Sequence, residues 1–128
     1  LVLIDQVNEY SLPNTPVGMS LDLWHFADDP HLLDNLQDLV RHTLVVQVAD
    51  RSTPPSNEHE RLPVGHGMLP LKDSAAQLIA AGYEGVFEFD PIGEVVEAVG
   101  YESVIRTLSD TAACGSHTLG AHQLQVTR

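Results

Sequence analysis

A chain of 128 residues with 43% apolar content is long enough for one domain with a core of its own, and too apolar to stay unfolded. Eighteen acids against six lysines and arginines give a formal net charge of −12, which repels a polyanion and argues against a nucleic-acid partner. The single cysteine, Cys114, excludes an internal disulfide and a cysteine-based zinc site; no apolar run reaches membrane-spanning length and no signal peptide is visible, so no membrane partner and a cytoplasmic location are expected.

The opening run Leu1-Val2-Leu3-Ile4 looks like the middle of a strand, as in a fragment of a longer protein. Residues 2–7 read as a first strand ending near Asp5 and Gln6, followed by a loop with two prolines from Asn8 to Pro16. Residues 17–22 read as a second strand, leading into Leu23-Trp24-His25-Phe26. Pro30 to His42 has apolar residues at helical spacing, with Asp29 as N-cap and proline at the first helical position. Thr43 to Ala49 is a β-branched apolar run of the kind buried on both faces, carrying Gln47 and ending at Asp50. Arg51 to Pro63 is a polar, proline-rich loop, and Val64-Gly65-His66-Gly67 is a turn. Asp73 caps a helix that runs to Ala81 and stops at Gly82. Gly85 to Phe89 is the next strand, carrying Glu88; residues 93–109 are helical with a break at Gly100, and residues 111–128 read as a mobile tail.

Strands alternating with helices imply a parallel sheet, in which chemistry sits at the carboxyl ends of the strands. Asp22, His25, Asp50 and Glu88 fall at or near such ends. Asp22, Gln47 and Glu88 arrive on successive apolar strands, and oxygen ligands placed that way can converge on one divalent cation. One link breaks the pattern: Asn8 to Pro16 is too short for the crossover that parallel neighbours require.

Leu-Asp-x-x-His at 21–25, Val45 to Asp50, Arg61-Leu62-Pro63-Val64-Gly65-His66-Gly67 and Gly82-Tyr83-Glu84-Gly85-Val86-Phe87-Glu88 together resemble the xylose-isomerase-like TIM barrels, a group of sugar isomerases and epimerases, hydroxypyruvate isomerases, and inosose and dehydroshikimate dehydratases. The resemblance covers residues 1–110 and implies the second half of a parallel (β/α)8 barrel, strands five to eight. It further implies a divalent metal (Mn, Mg or Zn) on Asp5, Asp22, Gln47 and Glu88, with Asp5 standing where the family has a glutamate. Glu88 and Asp5 would form the proton-transfer pair; His25 and Arg61 would bind substrate oxygens. His66 faces either the site or solvent, and Trp24 either walls the substrate or packs at the rim.

The implied reaction is isomerisation or epimerisation of a small hydroxy-carbonyl compound, such as a ketose or hydroxypyruvate, through an enediolate. Dehydration by the same enolate chemistry is the enzymatic alternative. The other reading is a non-catalytic half-barrel. Half a barrel has open sheet edges, so a homo-oligomer or a partner supplying the missing half is expected.

Overall fold

The computed structural model describes residues 17–52, 59–107, 109–110 and 124–126. The expected first strand with Asp5, the 8–16 link, residues 53–58 of the 51–63 loop and most of the tail lie outside these residues. Strands β1 (Met19–Asp22), β2 (Thr43–Val48), β3 (Val86–Phe89) and β4 (Leu124–Val126) form one sheet in chain order. Every neighbouring pair is parallel.

The crossovers are helical. Between β1 and β2 lie α1 (Leu23–Phe26), a 3-10 turn (Pro30–Leu33) and α2 (Leu36–His42); α3 (Leu71–Ala80) joins β2 to β3, and α4 (Glu94–Val99) follows β3. A further helical stretch covers 101–107 after Gly100, whose φ of 87° ends α4 as expected. Successive parallel neighbours joined by crossovers of one hand carry their helices on one face. That face is the core: Leu21, Val46 and Phe87 share a register row, Val48 and Phe89 lie two residues further on, and Leu39, Leu78, Val96 and Val104 pack in the same cluster. Each such side chain contributes about 1.5–3 kcal/mol by leaving water. Tyr83, 2% exposed, closes the core below β3; its hydroxyl donates to the Val86 and Leu44 carbonyls, at 2.7 and 3.3 Å.

Several elements depart from expectation. The helix expected over Pro30–His42 is two pieces. Asp29 caps the first, accepting from the His31 N–H at 2.8 Å. The break falls at Asp34-Asn35, residues whose side chains compete for backbone bonds; Asp34 pairs with the His31 ring. Asp73 is not a cap: α3 begins two residues earlier, after Pro70, and Asp73 lies in its first turn. The β2 run is not buried on both faces. Val46 and Val48 are buried, whereas Leu44 is 60% exposed and Gln47 half-buried. Within the segment expected to be a mobile tail, Leu124–Val126 pairs with Phe87–Phe89 as β4. A three-residue strand gains its ladder from a distant partner, and so leaves no local pattern.

Candidate functional site

The face opposite the core carries the polar residues. In a parallel sheet residues in register point the same way, and Asp22, Gln47 and Glu88 form one such row. The row lies at the carboxyl end of β1 and one residue short of it in β2 and β3. Gln47 Nε2 donates to Glu88 Oε2 at 3.2 Å, which fixes the glutamate on its neighbour. Asp22 also ends β1 by capping α1, its Oδ1 accepting from the Trp24 N–H at 2.9 Å. His25, just past the strand end, therefore sits on a helical turn, its Nε2 3.7 Å from Asp22 Oδ2, with 38% of its side chain exposed.

Arg61 is brought over this row by two antiparallel bridges. Leu62 pairs with Asp50 after β2, and Arg61 pairs with Ile92 after β3. The guanidinium then spans the sheet end, Nη2 donating to Asp22 Oδ2 at 2.7 Å and Nη1 to Asp90 Oδ2 at 3.0 Å. Its side chain is 13% exposed. Trp24, 5% exposed, lies beneath it with 5.3 Å from guanidinium carbon to ring centroid, and Arg51 approaches the same ring at 5.4 Å. The indole thus packs under two arginines, and its buried Nε1 has no hydrogen-bond partner among the described residues.

Asp90 is the site residue that sequence reading missed. The signal was present: it stands two residues beyond Glu88, so the strand period puts it on the same face. Burial pushes its carboxyl up to about 6, against the pull of Arg61 and with the charges of Asp22 and Glu88 adding to the rise. Its Oδ1 is buried with no hydrogen-bond partner among the described residues. An acid raised in the folded state binds protons that the unfolded chain releases, so its contribution to stability is present below about pH 4 and is lost as the pH rises through about 6. At most about 3 kcal/mol attaches to such a displacement; with 24% of the side chain exposed, screening reduces it to about 1–2 kcal/mol. Urea unfolding of the wild type should weaken over that window relative to Asp90→Asn. Parallel pH profiles would mean that Arg61 keeps Asp90 ionised throughout.

Asp50 has a different task from the one its strand-end position implied. It is 2% exposed, and its carboxylate accepts from the N–H groups of Arg51 (2.9 Å), Gly65 (3.0 Å) and Leu69 (3.0 Å). A Cβ at Gly67 would collide with Asp50 Oδ1 and the Arg51 carbonyl, so glycine is required where the turn crosses this carboxylate. His66 is exposed in that turn, and no hydrogen bond joins its ring to the other site residues among those described.

The donors are hard oxygens, suited in kind to a divalent ion. Among the described residues no group of three His, Cys, Asp or Glu side chains is placed to hold a metal, and the Arg61 guanidinium bridges Asp22 and Asp90. Asp5 lies outside the described residues.

No protein-family model and no curated protein sequence matches the chain. Among solved structures, a crystal structure of the IolI protein with a bound zinc atom is similar, with a TM-score of 0.74 and 19% identity over 93% of this chain. The fold is that of part of a (β/α)8 barrel. The chain spans 44% of the length of the IolI chain, and its sequential parallel strands correspond to part of that barrel. Among the described residues no helix is long and apolar enough to cross a membrane.

Proposed function

We propose that this chain carries the proton-transfer half of a sugar isomerase-type barrel, acting on a small hydroxy-carbonyl compound such as a ketose or hydroxypyruvate. The observation that carries the reading is the row Asp22, Gln47 and Glu88 on one sheet face, with Arg61 and Asp90 over its end. Glu88, held by Gln47, would take the proton from the carbon bearing the hydroxyl, leaving an enediolate. Asp90, with a carboxyl near 6, is suited to give a proton to the neighbouring carbon while the hydroxyl proton passes to the former carbonyl oxygen; the proton taken by Glu88 then exchanges through solvent to Asp90, which restores both groups. The counterpart expected at Asp5 would serve the opposite face of the substrate. His25, half-exposed beside Asp22, and Arg61 would bind substrate oxygens.

The zinc of the IolI structure supports a divalent ion in a complete barrel of this type. The steps above run through this chain's own side chains. The match to under half of that barrel supports assembly with a second copy or with further polypeptide that supplies the remaining strands.

The test is solvent exchange. The full chain is incubated in D₂O with a panel of ketoses, hydroxypyruvate, inosose and dehydroshikimate, and followed by proton NMR. Deuterium entering beside a carbonyl, with formation of an isomer, is the expected result. Loss of water from the substrate would assign the dehydratase alternative. No exchange on any compound would leave a half-barrel framework without the chemistry.

A further inference from the structure

Arg61 sits where three carboxylates face one another. One terminal nitrogen is 2.7 Å from Asp22 and the other 3.0 Å from Asp90, and Glu88 lies close enough to Asp90 for its charge to be felt there. The guanidinium has little freedom: the Ile92 bridge fixes its backbone, the Trp24 ring packs against it, and only 13% of the side chain meets solvent. A planar fork held on three sides is preorganised for two carboxylates, and it does not lose its charge at any accessible pH.

We propose that Arg61 is the resident cation of this site, so that Asp22, Glu88 and Asp90 take no divalent metal while the guanidinium stands between them. A metal ion entering the same space would give up two of its best donors to the arginine and meet a like charge at contact distance. The site therefore works on a fixed organic cation, and the carboxylates form a metal site only once that cation is removed. This does not depend on the reaction proposed above, and it is read by binding alone.

The experiment is titration of the full chain with Mn²⁺, following the free-ion signal by electron paramagnetic resonance, for the wild type, Arg61→Gln and the double variant Asp22→Asn/Arg61→Gln. The wild type is expected to show no saturable binding. Arg61→Gln should bind one ion per chain at least about 10-fold more tightly, and the double variant should lose most of that gain. A wild type that binds one ion as tightly as Arg61→Gln overturns the proposal. So does a folded Arg61→Gln chain, checked by circular dichroism, that binds no better than wild type. If Arg61→Gln does not fold, the wild type decides. Arginine Nε–H resonances that survive stoichiometric Mn²⁺ support the proposal, and paramagnetic loss of the Arg61 signal refutes it.

Discussion

Replacing Asp50 with alanine is expected to lower the unfolding free energy by about 3–5 kcal/mol. The side chain is 2% exposed and its carboxylate accepts from three backbone N–H groups, spread from Arg51 to Leu69. Alanine leaves those donors without their acceptor, the Leu69 N–H fully buried and the other two part-buried, and each orphaned buried group costs about 1–3 kcal/mol. A domain of this size has about 5–15 kcal/mol in all, so the variant should be largely unfolded well below the wild-type melting temperature. Asp50→Asn keeps one acceptor oxygen and should lose less. The measurement is the urea midpoint of both variants, and a loss under about 1 kcal/mol for Asp50→Ala would show that the loop holds itself together.

Glu88→Gln is expected to reduce solvent exchange by about 10²–10⁴-fold while leaving the fold intact. Glutamine has the same length and keeps a carbonyl oxygen to accept from Gln47 Nε2, so the row keeps its geometry. What it loses is the ability to take a proton. The half-buried position of Glu88 makes the exchange of charge for amide cheap in stability. Wild-type exchange rates in the variant would remove Glu88 from the reaction and turn attention to Asp90, the neighbouring carboxyl on the same face.

The strands and their polar row were legible because alternation has only one period to offer. Thr43 to Val48 and Val86 to Phe89 are apolar runs interrupted by one polar residue each, and the interruption had to face away from the helices. The division of labour among acids was not legible. Asp22, Asp50 and Asp90 all follow or end apolar strands, yet one caps a turn and meets Arg61, one holds a loop, and one is the raised carboxyl. Which of these an acid does depends on where residues 61–69 return, and a loop's path is set by contacts far away in sequence. The break at Asp34-Asn35 was visible in composition, but five leucines and valines at helical spacing outweighed it. The strand at Leu124–Val126 rests wholly on the edge of β3 and had no local signature.

The alignment of Asp22, Gln47 and Glu88 in a single register row has a consequence for how such a chain can vary. Gaining or losing one residue inside β1, β2 or β3 would rotate that strand's polar group into the helical layer and bring an apolar neighbour out in its place. A change of two residues would restore the facing but lift the group by about 6–7 Å, out of reach of its partners. Insertions and deletions are therefore confined to the connections and to the irregular pairing at the start of the sheet, where Met19 faces Thr43 and Ser20 faces Val45; beyond it parity fixes strand length before any side chain is chosen.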